Sequence, residues 1–239
     1  MEAAVRISGP LVGGLFIARP NRFAAVVSID GNEEVVHVPN SGRLTELLVP
    51  GRPVLLRAVP KPSRKTRYDM ALVGLEHTLV SADARLPAAL FAEAVAQGRL
   101  PRFRGYAVTA REVTLGKSRL DLLLSGPRSC LVETKSITLV EGGAALFPDA
   151  VTERGARHLR TLVQARAEGY EAAVVFVIQR PDASCFVPND AADPLFGQTL
   201  REAARAGVEV HAYACGVALD EIALTREVPV FLKEEACGR

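Results

Sequence analysis

Arg119-Leu120-Asp121-Leu122-Leu123-Leu124 and, after a short turn over 125–129, Cys130-Leu131-Val132-Glu133-Thr134-Lys135-Ser136-Ile137 are two apolar strands, each broken by charge. Glu133 and Lys135 stand two residues apart, so in a strand they share a face, roughly 6–7 Å apart along it. The short connection makes the strands antiparallel neighbours and can bring Asp121 beside Glu133. Two carboxylates in partly apolar surroundings repel each other and ionise together only if a cation compensates. Lys135 supplies one positive charge and a divalent metal would supply the rest. Mg2+ (or Mn2+) takes carboxylate and carbonyl oxygen, often one or two carboxylates completed by water and substrate phosphate. That donor set suits phosphodiester hydrolysis, in which the metal activates water and the lysine orients it or steadies developing charge. The plainer alternative is a cross-strand salt bridge on a half-exposed sheet. Two features argue against it. Both acids lie inside their strands, and Glu93, at the edge of the apolar face of the preceding helix, could reach the same site.

Outward from these strands, the chain after residue 82 reads as α-β-β-β-α-β-α-β. Helices are expected over 86–97, 152–168 and 197–206. Strands are expected over 107–115, 119–124, 130–139, 172–179 and 208–213, with a final hairpin in 216–232. Pro87 suits a helix first turn and Gly98 a helix stop. The order implies an αβ sandwich around a mixed central sheet. Before residue 82 the pattern is short strands and turns: 11–18, 23–29, 34–38, 54–59 and 68–75, with one short helix at 43–48. Asp30-Gly31 marks a hairpin turn. Five short strands with a small helix suit a small β-barrel, and the OB-fold is the commonest such barrel that binds nucleic acid. The expected domains are 1–82 and 83–239.

With 239 residues, the chain is long for one small domain and ample for two. Aromatic residues make up 5% and Trp is absent, which argues against a broad aromatic platform. The net charge of +2 is uninformative, but its distribution is uneven. Arg52, Arg57, Lys61, Arg64, Lys65 and Arg67 crowd into residues 51–70 against the single acid Asp69. Such excesses suit a polyanion where they gather on one face. Lys61, Arg64, Lys65 and Arg67, around Pro62, form a loop at the barrel's mouth, the place where such folds bind strands. On the helix at 152–168, Arg154 and Arg157 point away from the buried face of Leu159, Leu162 and Val163 and could meet phosphate. Gln179 and Arg180 end an apolar strand, where sheets often line a site. Asp149 could cap the turn that follows it or lie near a metal. His37 reads as a barrel residue and Cys130 as a core thiol.

Other chemistries lack support. There is no H-E-x-x-H, G-x-S-x-G or G-x-G-x-x-G, and Gly116-Lys117-Ser118 lacks the glycine a phosphate loop needs five residues earlier. Cys130, Cys185, Cys215 and Cys237 show no zinc spacing and are expected as reduced thiols of a cytoplasmic protein. No signal peptide is evident, and the apolar run 172–178 is too short to span a bilayer, so no membrane partner is expected.

The pattern Asp121…Glu133-x-Lys135 on consecutive strands, between helices, resembles the PD-(D/E)XK nuclease superfamily. Val38-Pro39-Asn40-Ser41-Gly42, Arg119-Leu120-Asp121, Glu133 to Val140, Phe147 to Gly155 and Gln179-Arg180-Pro181-Asp182 are similar, more narrowly, to the sugar fermentation stimulation protein A family. The resemblance implies an OB-like barrel followed by a PD-(D/E)XK nuclease-like αβ domain. It also implies DNA binding and a link to the regulation of sugar metabolism, notably of maltose. It puts metal-binding carboxylates at Asp121 and Glu133, the lysine at Lys135 and the helix acid at Glu93. Leu120 stands where the superfamily has proline. Thr134 takes the free middle position, where relatives carry valine and where its carbonyl could ligate metal. DNA is the expected partner, with RNA as the alternative. The competing expectations are a non-catalytic DNA-binding regulator on the same scaffold and, last, a small-molecule binder.

Overall fold

The computed structural model describes residues 4–59 and 63–233. After β1 (Ala4–Arg6), five strands alternate inward and outward side chains: β2 (Leu11–Asn21), β3 (Ala24–Ile29), β4 (Asn32–His37), β5 (Pro53–Ala58) and β6 (Tyr68–Gly74). Asp30 (φ 50°) and Gly31 (φ 82°) turn β3 into β4, the left-handed pair a two-residue hairpin of type I′ requires. β2 pairs with β3 and β5, β3 with β4, and β5 with β6, all antiparallel. One parallel pair, His37 opposite Asp69, closes β4 onto β6. The result is a closed five-stranded, OB-like barrel. The segment 43–48 is a run of turns and not the expected helix. Leu44 takes φ 52°, and its carbonyl accepts from both Leu47 and Leu48. This geometry drives Leu44, Leu47 and Leu48 into the barrel core beside Phe16, Val27 and Leu56.

β7 (Leu79–Ser81) pairs antiparallel with β6 and leads into α1 (Pro87–Ala96). Then follow β8 (Ala107–Leu115), β9 (Ser118–Ser125), β10 (Cys130–Ile137), β11 (Val140–Glu141), β12 (Ala144–Phe147) and α2 (Glu153–Ala167). The chain continues through β13 (Glu171–Ile178), β14 (Cys185–Pro188), α3 (Pro194–Arg205), β15 (Glu209–Val217) and β16 (Glu221–Glu227). A mixed seven-stranded sheet runs β1-β16-β15-β13-β10-β9-β8, with β10, β13 and β15 parallel. β11, β12 and β14 form a small second sheet. β1 corrects the expected domain limit: residues 4–6 pair with β16 and belong to the second domain's sheet, not to the barrel.

α2 and α3 cover one face of the large sheet, packing Leu159, Leu162, Phe196 and Leu200 on Phe176 and Ile178. Thr152 caps α2 by accepting from Gly155 N at 3.0 Å, and Asp193 caps α3 by accepting from Phe196 N at 3.0 Å. α1 covers the other face with Leu90, Phe91 and Val95. Leu72 of the barrel joins that same cluster, so the two domains share a core. Cys130 and Cys215 are free and buried, whereas Cys185 is disulfide-bonded, against the expectation of four reduced thiols. Cys237 lies outside the described residues. Among the described residues no helix is long and apolar enough to cross a membrane.

Candidate functional site

The β9–β10 ladder runs from Leu124 opposite Cys130 to Leu122 opposite Val132 and goes no further. Leu122 and Leu124 face the α1 core, but Leu120 faces the α2 core, so β9 rolls over at Asp121. A side chain takes over where the ladder stops. Asp121 Oδ2 accepts from Thr134 N at 2.8 Å and from Thr134 Oγ1 at 2.5 Å. Across the other edge of β9, Glu112 holds φ 54°, a conformation uncommon for a non-glycine residue.

Glu133, 3% exposed, projects toward α2. Its Oε1 accepts from Lys135 Nζ at 2.6 Å and contacts His158 Nδ1, while its Oε2 is buried without any hydrogen-bond partner. Buried polar atoms are nearly always paired, so the orphan oxygen is an exception. Burial pushes the Asp121 carboxyl up, and the charge of Glu133 pushes it further. Burial works the same way on Glu133, but Lys135 and His158 outweigh it and hold that carboxyl below the ordinary carboxylate range.

These groups line the floor of a cleft of about 1130 Å³ between the two domains. The barrel side is the loop 40–43, which is built from within. Arg19 donates to the carbonyls of Asn40 (2.9 Å), Gly42 (2.8 Å) and Arg22 (2.6 Å). The other side is the Phe147–Arg154 segment. Asp149 fastens the two together by accepting from Arg43 N at 2.5 Å. A Cβ at Gly42 would come within 2.7 Å of Asp149 Oδ2, so only glycine allows this approach. Asp149 thus serves as a rivet between domains.

The structure brings together Asp121, Glu133, Thr134 and Lys135, with Arg154 on the rim; Arg154 Nε lies 3.4 Å from His158 Nε2. It does not bring in Glu93, whose carboxylate accepts from Gln97 Nε2 at 2.7 Å on the exposed side of α1. α1 covers the sheet face opposite to the one that carries Glu133, which is why Glu93 falls short. Among the described residues no group of three or more His, Cys, Asp or Glu is placed to hold a metal. Arg157 is exposed but does not line the cleft.

Gln179 is fully buried rather than surface-lining. Its side-chain Nε2 donates to Asp83 O (3.0 Å) and Ser136 Oγ (2.8 Å), and its backbone carbonyl accepts from Ser81 N (3.0 Å), sewing the sheet to the interdomain connection. Two cations of the expected basic loop are paired within the fold. Arg64 donates to the buried Asp69 at 2.6 Å, and Arg67 donates twice to Glu34, at 3.1 and 2.8 Å. Both guanidiniums are answered within the fold, because a buried carboxylate and a facing strand acid lie in reach. Lys65 is exposed, and Lys61 lies outside the described residues. Sequence reading missed His158, although a polar residue at the spacing of Gly155, Leu159 and Leu162 sits on an otherwise apolar helix stripe.

Residues 17–82 match the SfsA N-terminal OB domain, and residues 85–221 match the sugar fermentation stimulation protein RE domain. A sugar fermentation stimulation protein homolog of Moorella thermoacetica is 47% identical over 232 residues, covering 96% of this chain and 99% of that protein. A homolog of Caldanaerobacter subterraneus is 47% identical over 227 residues, covering 95% and 99%. A solved structure of Pyrococcus furiosus SfsA in complex with Ca2+ superposes with a TM-score of 0.88 at 34% identity, covering 97% of this chain and 99% of that one. An OB-like barrel followed by an αβ domain built on a mixed sheet, matched along nearly its whole length by these relatives, makes the chain a member of the sugar fermentation stimulation protein family.

Proposed function

We propose that the protein is a DNA-binding, divalent-metal-dependent phosphodiesterase acting at Asp121, Glu133 and Lys135. The observation that carries this reading is the buried, unpartnered Glu133 Oε2 beside Asp121 on the floor of an open cleft. Two carboxylates, one raised by burial and by its neighbour, fit a hard cation better than they fit each other. Glu133 Oε2 and Asp121 would hold Mg2+ or Mn2+, with the Thr134 carbonyl as a third donor. When bound, the cation would polarise a phosphate and lower the pKa of water. The binding of Ca2+ by the Pyrococcus furiosus relative supports a divalent-cation site in this chain.

The chain's own residues divide the rest of the work. Thr134 holds Asp121 by two hydrogen bonds, so its rotamer is set before anything binds. Lys135 occupies Glu133 Oε1, leaving Oε2 as the free acceptor. Lys135, held beside the two carboxylates by Glu133 Oε1, would stabilise charge on a phosphate oxygen brought to the cleft floor. Arg154 on the rim would position the DNA backbone.

One observation favours a second reading, a non-catalytic DNA-binding regulator on this scaffold. Lys135 and His158 already answer one oxygen of Glu133, and among the described residues no third carboxylate joins the pair. The two readings part in a cleavage assay on labelled DNA with Mg2+, Mn2+ or EDTA, alongside Lys135→Ala. Metal-dependent cleavage lost in the variant is the expected result. DNA retention without cleavage in any metal would leave the regulator.

A further inference from the structure

A second set of charges gathers where β13 and β15 begin, at Glu171 and Glu209, and its members lie outside the cleft. We propose that His211, in this set, is a proton-controlled latch: the charged imidazole fastens the end of β16 to β15, and loss of its proton releases that end. The latch uses no residue of the nuclease reading, so the two stand or fall separately.

Both nitrogens of the ring meet a carboxylate. Nδ1 lies 2.8 Å from Glu227 Oε1 on β16, and Nε2 lies 3.0 Å from Glu209 Oε2 on β15. A neutral imidazole has one N–H and one lone pair, so it serves one of these acceptors and turns its lone pair on the other. Only the imidazolium donates to both. The side chain is 15% exposed and lies T-shaped against Phe103, ring centroids 5.4 Å apart, so water is a poor substitute for either bond. The neighbouring charges make the same demand. Arg102 donates to Glu209 through Nε (2.7 Å) and a terminal nitrogen (2.5 Å), and to Glu171 at 2.9 Å. The Tyr106 hydroxyl donates to Glu171 as well. Glu171, Glu209 and Glu227 thus share Arg102 and His211, and a neutral ring would leave them Arg102 alone. Burial pushes up the phenols of Tyr106 and Tyr213 and the thiol of Cys130, the last to about 12, so the ring is the group of this set that changes charge near neutrality.

β16 is placed to feel the change. Its ladder with β15 slips between Ala214 and Cys215, and past that slip the pairs are Ala214 with Arg226 and Tyr213 with Glu227. The ring reaches across to Glu227, the last residue of β16, and closes that short end. Burial by itself would make the imidazole easier to neutralise, but Glu209 and Glu227 outweigh it and hold the ring charged beyond the ordinary histidine value. A group raised in this way stabilises the fold fully below its unfolded pKa, near 6.5, and the stabilisation is lost as pH rises through the higher folded value. The latch is therefore shut near pH 6 and opens as the solution becomes alkaline.

The test is NMR of the full chain with labelled histidine, followed from about pH 5 to about pH 9, with amide exchange read at residues 224–227. The His211 resonance is the one missing in His211→Gln and displaced in Glu227→Gln. It is expected to titrate above the value of histidine in the urea-unfolded chain, and to move back down in Glu227→Gln, where one carboxylate is gone. Through the same titration, protection of the 224–227 amides should fall about tenfold, as for the loss of one hydrogen bond to a charged group. In His211→Gln that protection should be low throughout and show no such step. Glu227 is 47% exposed, so Glu227→Gln reports on the latch even where His211→Gln does not fold. A titration at or below the unfolded value, a midpoint unmoved by Glu227→Gln, or protection that holds through the titration would each overturn the inference.

Discussion

Asp69 and Glu133 are both carboxylates set in apolar strands, exposed by 1% and 3%, and the fold treats them in opposite ways. Asp69 is met from every side: Arg64 at 2.6 Å, His37 at 2.9 Å, and Arg57 and Arg85 at 3.1 Å. Glu133 has two partners on one oxygen and none on the other. A saturated buried acid is a fastening, here tying β4, β5 and β6 to the interdomain connection at Arg85. A half-saturated one leaves a buried acceptor without a partner. The same contrast explains why the arginine-rich loop, promising by charge alone, is structural at Arg64 and Arg67, while the acid-lined cleft is the better candidate for a phosphate polymer.

The largest expected effect is at Glu133. Glu133→Gln keeps the shape and removes the charge, and Mg2+-dependent cleavage should fall about 10²–10³-fold with no loss of melting temperature. Unchanged cleavage would break the contrast outright. Asp69→Asn should do the reverse. It should cost about 3 kcal/mol of stability in urea unfolding, at the low end for a broken buried pair because its arginines are partly exposed. Cleavage by the folded fraction should not change.

Proton linkage sharpens this prediction. Burial alone would raise the Asp69 carboxyl, but hydrogen bonds from Arg64, His37 and Arg85 outweigh it and hold it well below the usual range. Its contribution to stability is therefore complete above its unfolded pKa, near 4. That contribution is lost as pH falls from there toward the lower folded value. The stability gap between wild type and Asp69→Asn should be constant from pH 7 to about 5 and close below pH 4. A gap that widens in acid would mean Asp69 is not the ionised hub. Smaller again, His158→Ala should weaken Mn2+ binding about 10–100-fold by calorimetry, since His158 orients Glu133. His158→Asn, which can still donate, should recover part of it. Arg67→Ala, removing a guanidinium that is 76% exposed, should change stability by less than about 1 kcal/mol.

Much of this was legible because long elements carry long patterns. The run 172–178 is apolar at every position because β13 is buried on both faces between β10 and β15. α2 has its cap, its stripe and its stop within one stretch of sequence. β1, β7, β11, β12 and β14 span two to four residues each, too few for a period to emerge. Leu44, Leu47 and Leu48 have helical spacing, but the barrel needed them at its end and took a turn to deliver them. At the site, strand adjacency could be read from the short 125–129 turn. The burial of Gln179 could not, because it comes from the other domain closing over the end of β13. Asp69 looked like Asp121 in sequence, and only the folded neighbours separate them.

β1 changes what the barrel is. Because Ala4–Arg6 pairs with Ala223 to Glu221 of β16, the large sheet begins before the barrel and is completed after everything else. The barrel is an insertion looped out of a single sheet, entered and left through one seam. Cutting the chain near residue 83 would therefore not release two finished halves. It would strip an edge strand from the αβ part, lay β16 open to pairing with another molecule, and leave three residues of that sheet on the barrel with nothing to pair with.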